Sequence, residues 1–322
     1  MSRRAFGRAS MVPATIAVAF VIGVLVPGLS AQQPPAGGRG QQAPATPRAA
    51  APVDYTGVWV SAITEDWRFR MVTPPRGDFA SLPLNPEGVK VGQSWDPARD
   101  IAAGDQCKAY GAPGLMRMPT RLRISWENDT TLKVESDNGQ QVRLFNFRAP
   151  ATPLASPAAA ERGAPSWQGY SVAQWETQPE GQGLAPGGGG GGGRGGGGPA
   201  LSGAFKVVTT NLRPGYLRRN GAPYSGNAVY TEFFDRTPGP NNDSWLIVTS
   251  IVDDPMYLNQ PFMNSTQFKK EPDASKFSPR VCEVTPAVEG ETAAESAARG
   301  RGRGAAAPAG GAAPAPGRGR GN

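Results

Sequence analysis

Residues 121–147 run Arg121-Leu122-Arg123-Ile124-Ser125-Trp126, Glu127-Asn128-Asp129-Thr130, Thr131-Leu132-Lys133-Val134-Glu135-Ser136, Asp137-Asn138-Gly139-Gln140 and Gln141-Val142-Arg143-Leu144-Phe145-Asn146-Phe147. Apolar and polar side chains alternate through all three apolar stretches. A period of two is that of a strand whose faces meet different surroundings. Leu122, Ile124 and Trp126 share one face, and Arg121, Arg123 and Ser125 the other. Asn128-Asp129 and Asp137-Asn138-Gly139 stand where the chain must reverse. Asn-Gly favours a tight hairpin because both residues tolerate positive φ. The stretch predicts a three-strand antiparallel meander.

The same alternation predicts further strands over 55–60, 66–72, 167–176, 203–210, 227–236, 244–252 and 264–270. Helical signal is confined to 85–94 and 96–110, each opened by a capping side chain before proline (Asn85-Pro86, Asp96-Pro97). There the missing proline N–H leaves no helical bond unmade. About ten strands and two short helices give a mainly all-β chain. Its expected form is a single antiparallel, lipocalin-like barrel or strongly curved sheet, since closure removes exposed strand edges.

Gly57-Val58-Trp59 at the start of the first strand resembles the opening of lipocalin-like barrels. The resemblance implies that Trp59 closes one end and that Lys269 or Lys270 packs over it. Thr64-Glu65-Asp66-Trp67-Arg68, Met71-Val72-Thr73-Pro74-Pro75, Cys107-Lys108-Ala109-Tyr110-Gly111-Ala112 and Thr210-Asn211-Leu212-Arg213-Pro214-Gly215-Tyr216-Leu217 resemble a family of exported bacterial proteins. That resemblance spans most of 54–282. It implies the limits of a domain and no particular chemistry.

Much of the chain is poor core material. Of its 322 residues, 43 are Gly and 33 Pro, and they cluster at 32–53, 183–200 and 288–322. Such segments bury too little apolar surface to offset chain entropy and are expected to be disordered. What is left is one β-rich domain over 54–287 with a glycine-rich insertion. The net charge of +7 follows the same division: residues 1–53 carry five Arg and no acid, 288–322 carry five Arg against three Glu, and 54–287 carries 23 bases and 23 acids. The basic character belongs to the arms, so nothing points to a nucleic-acid-binding fold. The Arg-Gly repeat at 299–304 reads as a solvated arm.

The opening, with Arg3, Arg4 and Arg8 ahead of an apolar run from Met11 to Leu29 and small residues at Ser30-Ala31, has the organisation of a signal peptide over 1–31. Its Ser2-Arg3-Arg4-x-Phe6 portion resembles a twin-arginine signal, with Gly7 in the place of a larger apolar residue. Either route leads to a periplasmic or secreted protein with no membrane span once the signal is removed. In an oxidising compartment Cys107 and Cys282, without a CxxC spacing, are expected to form a disulfide.

The chain has no histidine, which excludes His-dependent triads, HExxH zinc sites and His-ligated haem. No phosphate-binding glycine loop or nucleophile elbow is present, and no cofactor or metal is expected. Asp253-Asp254 and Asn241-Asn242-Asp243 read as turn residues rather than a cation site.

Three groups are left as ligand-binding candidates. Glu232 shares a strand face with Tyr230 and Phe234; pointing inward, its carboxyl would sit among aromatic rings, and pointing outward it would be solvated. Arg68 and Arg70 lie one strand repeat apart and would clamp a carboxylate or phosphate, or else pair with Glu65 and Asp66. The long link 211–227 carries Arg213, Tyr216, Arg218 and Tyr224, suited to an anionic or sugar-like ligand. The sequence thus points to an exported protein binding a small amphipathic or anionic molecule. A carboxylate-dependent enzyme acting on a saccharide or ester, and a structural envelope component, are the alternatives.

Overall fold

A computed structural model describes residues 45–149, 154, 162–177 and 201–284. The signal region, the linker up to residue 44, the glycine run at 183–200 and the tail from 288 onward lie outside the described residues.

The predicted meander forms three consecutive strands of a closed barrel. β1 (Gly57–Ala62) pairs with β2 (Arg121–Trp126), and β2, β3 (Thr131–Ser136) and β4 (Val142–Phe147) follow antiparallel. β5 (Tyr170–Thr177), β6 (Leu201–Thr210), β9 (Val229–Pro238), β10 (Ser244–Asp253) and β11 (Phe262–Lys270) complete the wall, and β11 returns to β1. A separate two-stranded ribbon joins β7 (Gly215–Tyr216) to β8 (Pro223–Tyr224).

Nine strands close this barrel, and the β7–β8 ribbon lies outside it. The segment 66–72, expected as a strand, is instead the short helix α1 (Trp67–Met71). Its alternating pattern does not describe its burial: Arg70 is buried and Met71 exposed. Five residues are too few for a period of two to exclude a helical turn. The loss of that strand has a topological consequence. An odd number of strands cannot alternate in direction all the way round a closed barrel, so at least one neighbouring pair must be parallel. That pair is β4 and β5, joined by a ladder of three residue pairs from Phe145–Ser171 to Phe147–Ala173.

The helical signal is real but broken into pieces. α2 (Pro86–Gln93) and α3 (Pro97–Ala102) begin at Asn85 and Asp96, whose side chains accept from Gly88 N and Ala98 N. A 3-10 turn (Gln106–Tyr110) and α4 (Ala112–Leu115) follow.

Aromatic rings fill the lower barrel. Phe205 and Phe234 stack 4.6 Å apart, Phe145 lies 5.3 Å from Phe234, and Tyr55 meets Phe205 edge-on at 4.8 Å. Trp59 is fully buried, and Lys270 Nζ lies 5.4 Å from its ring centre, while Lys269 pairs with Asp243. Residues 45–53, expected to belong to the disordered linker, pack against this end: Trp175 Nε1 donates to Pro47 O at 2.9 Å, and Ala51 and Val53 touch the core.

The opposite end carries the long connections, because β1, β3, β6 and β10 finish there and β2, β4, β5, β9 and β11 begin there. Residues 63–120, 211–228 and 254–262 build a second apolar cluster over it from Leu82, Leu84, Leu212, Leu217, Tyr224, Leu258 and Phe262. The Cys107–Cys282 disulfide, with Cα atoms 5.2 Å apart, ties the chain beyond β11 to the 3-10 turn beside this cap.

Candidate functional site

Between the aromatic core and the loop-built cap lies a polar layer. On β9, Tyr230, Glu232 and Phe234 face inward while Val229, Thr231 and Phe233 do not, so Glu232 is an interior residue. Its partner is Arg143 of β4, across the lumen with β5 and β6 between them in the wall. Nη1 and Nη2 of Arg143 donate to the two Glu232 carboxylate oxygens at 2.9 and 2.5 Å, and Nη2 donates also to Thr209 Oγ1. Both side chains are wholly buried. Burial works against the Arg143 charge, but the attraction of Glu232 outweighs it and holds the guanidinium above its usual range. The Tyr230 hydroxyl faces Glu232 without an ordinary hydrogen bond; burial first, then the Glu232 charge, pushes it well above the ordinary tyrosine value. Bound bidentately, the Glu232 carboxylate is a bridging group and not an open acid or base.

The arginines meet at the loop end. Arg68 and Arg70 do not share a strand face. They leave α1 toward different carboxylates, Arg68 to Asp78 and Arg70 to Glu65. Arg70 Nε also donates to Arg117 O, and Arg117 Nη2 to Asp66 at 2.7 Å. From the link 211–227, Arg218 donates to Ala80 O and Ser81 Oγ, and Arg219 to Arg70 O. The Arg218 guanidinium lies 3.8 Å from the Phe69 ring centre, with Arg68 at 4.3 Å from the same ring. Arg68, Arg70, Arg117 and Arg218 thus face three carboxylates, Glu65, Asp66 and Asp78.

The imbalance is sharper in burial than in number. Arg70, Arg117 and Arg218 are 2, 5 and 4 % exposed. The Glu65 and Asp66 side chains, by contrast, are 40 and 36 % exposed. Burial pushes Arg70 down to about 10 against the pull of Glu65, and the Arg117 charge adds to the shift; burial and Arg117 do the same to Arg218, also to about 10. Both remain cations at neutral pH. Each guanidinium keeps a buried nitrogen without an acceptor among the described residues: Arg68 Nε, Arg70 Nη2, Arg117 Nη1 and Arg218 Nε. Buried donors are normally satisfied.

Beside this cluster a cleft of about 450 Å³ is lined by Ser81, Leu82, Pro83, Gln260, Pro261, Phe262 and Met263. Ser81 is the residue Arg218 binds, and the Phe262 ring centre lies 5.5 Å from the Arg117 guanidinium. The cleft, of mixed polar and apolar lining, therefore meets the arginine cluster at Ser81 and Phe262.

The remaining candidates fall elsewhere. Arg213 pairs with Asp105 at 2.7 Å and lies 4.2 Å over Trp167. The Tyr216 hydroxyl donates to Asp100, a buried carboxylate that also receives Lys108 Nζ at 2.7 Å and Trp95 Nε1 at 3.2 Å. Burial, then the Asp100 hydrogen bond, pushes Tyr216 upward. Tyr224 is a packing residue: it is fully buried, and a methyl group at Gly111 or Gly215 would collide with its hydroxyl. Asp254 caps the Ser225 backbone and hydroxyl at 2.6 and 2.7 Å, as a turn residue should. Sequence reasoning passed over Arg117 and Arg143. Arg117 sits between Met116 and Met118 in a connection with no period to read. Arg143 shares its strand face with Phe145 and Phe147, a heavier apolar pair than Val142 and Leu144, and that contrast marked the inward face.

Among the described residues no cluster of Asp, Glu and Cys is arranged to hold a metal ion, and no helix is long and apolar enough to cross a membrane. Neither a protein-family model, nor a curated protein, nor a solved structure matches this chain.

Proposed function

We propose that the domain is a lipocalin-like binding module of an exported, periplasmic or secreted protein, and that it takes a small amphipathic anion at the loop end of its barrel. One observation carries the reading: four neighbouring arginines that share three carboxylates each keep a buried N–H with no acceptor among the described residues. A carboxylate, phosphate or sulfate group supplies acceptors in the geometry a guanidinium favours. The adjoining cleft of Leu82, Pro83, Pro261, Phe262 and Met263 suits the apolar part of the same molecule. The aromatic rings of the lower barrel pack on one another, which favours the arginine end over the lumen. The disulfide and the amino-terminal leader both support export.

Thermal shift with decanoate and with decanol separates head from tail. Decanoate should raise the melting temperature, by about 2.7 kcal/mol of stabilisation at a hundredfold excess over its Kd, and decanol should not. Met263→Asp, at a position 63 % exposed, should weaken the decanoate effect without loss of fold. Equal stabilisation by decanol, or none by decanoate, would refute the reading.

A further inference from the structure

The parallel seam forced by the odd strand number leaves a second, chemically different opening. β4 and β5 are laddered only from Phe145–Ser171 onward. Ahead of that point the chain before β5 turns away at Gly169, whose φ is +61°. The gap is a cleft of about 470 Å³ whose lining includes Gln141, Leu144, Asn146, Trp167, Gln168 and Tyr170. No charged side chain lines it among the described residues, in contrast to the arginine end.

The three primary amides are held in fixed orientations. Gln168 Nε2 donates to Tyr110 O and to Gln141 Oε1, both at 2.8 Å, and Gln141 Nε2 donates to Gly139 O at 2.6 Å. Asn146 Nδ2 donates to Ser171 O at 3.1 Å. With its nitrogen thus engaged, Gln168, a lining residue of the cleft, leaves Oε1 buried with no donor among the described residues. A buried carbonyl oxygen of this kind calls for an O–H or N–H. Trp167, Tyr170 and Leu144, which is 45 % exposed, line the same cleft, and the Arg213 guanidinium covers one face of the Trp167 ring at 4.2 Å. Amide acceptors of set direction, aromatic surface and no charge form a lining for a molecule that is uncharged, rich in hydroxyl donors and apolar on its C–H faces.

We infer that the β4–β5 seam is a binding site for a neutral saccharide, with Gln168 Oε1 accepting from a sugar hydroxyl and Trp167 or Tyr170 packing on the ring. The cleft volume falls within the range of small-molecule sites, about 300–1,000 Å³, and holds a disaccharide. The site is separate from the anion seat, and neither depends on the other.

Saturation-transfer NMR and tryptophan fluorescence of the full chain with cellobiose, maltose and N,N′-diacetylchitobiose test it. At least one should bind with a Kd of about 1 mM or tighter, the range in which a few hydrogen bonds and one stacked ring act. Gln168→Leu should weaken that binding about tenfold or more, since a sugar hydroxyl is then left unpaired. Leu144→Lys, at an exposed position that leaves the core intact, should weaken it as well. Decanoate stabilisation should be unchanged in both variants. Absence of binding by all three disaccharides would overturn the proposal, and so would binding that both variants leave intact. Displacement of the sugar by an extended peptide with higher affinity would reassign the cleft to a protein partner.

Discussion

Replacing Glu232 with Gln keeps the shape of the side chain and removes the negative charge that meets Arg143. The surroundings of the pair set the cost. Arg143 is wholly buried, two of its nitrogens are committed to Glu232, and its Nε has no acceptor among the described residues. Water cannot replace the lost carboxylate without opening the wall. Breaking a buried pair from one side costs about 3–5 kcal/mol. For a domain of this size about 2–4 °C of melting temperature is lost per kcal/mol, so Glu232→Gln should melt about 6–20 °C lower. Arg143→Met should cost a similar amount by stranding the carboxylate. The double variant Arg143→Met/Glu232→Leu should recover most of the loss and end near the starting stability or above it, because desolvation of two charges is then avoided. Urea unfolding with the disulfide intact, followed by circular dichroism and by tryptophan fluorescence, gives these free energies and that of Glu232→Leu, the single variant that closes the cycle with Arg143→Met. Single variants that each lose less than about 1 kcal/mol would show that the pair is solvated like a surface one, contrary to its burial. A double variant as unstable as the sum of the singles would refute the coupling.

Two further outcomes rest on the same packing. Burial raises the hydroxyls of Tyr55, Tyr216, Tyr224 and Tyr230 above their ordinary value, so the folded state holds protons that the unfolded state releases. Stability should therefore be unaffected by these groups below about pH 10, their unfolded value, and fall above it by up to about 5 kcal/mol per pH unit for four protons; absorbance at 295 nm should show them ionising together with unfolding, and smooth ionisation in the folded state would contradict their burial. The Cys107–Cys282 bridge closes a separation of 175 residues. By chain entropy it contributes about 5 kcal/mol, so a paired Ser substitution should lower the urea midpoint sharply, and an unchanged midpoint would refute its structural role.

Much of the architecture was legible because it rests on local pattern. Leu122, Ile124, Leu132 and Val134 alternate over enough residues for the period of two to be unambiguous, and all are buried as that pattern requires. Gly139, at φ +82° and packed against the Tyr110 ring, occupies the turn that Asn138-Gly139 announces. The failures also have physical reasons. Trp67–Met71 is too short for its alternation to choose between a strand and a turn of helix, and the miscount of one strand hid the parity that makes the seam parallel. Glu232 could be placed on a face with Tyr230 and Phe234, but its partner lies 89 residues away, a relation no local spacing records. The arginine cluster was half visible. Arg68, Arg70 and Arg218 stood out as candidates, but long-range packing brings them together around Arg117, which no motif marks.

The anion seat among Arg70, Arg117 and Arg218 should hold a free oxyanion. Crystals of the protein soaked in selenate, a tetrahedral oxyanion with a strong anomalous signal, test it directly. An anomalous peak in contact with those three guanidiniums, lost in Arg117→Met crystals of the same form, is the predicted result. Full occupancy elsewhere on the surface with nothing at the arginines, or a peak that survives Arg117→Met unchanged, would contradict it.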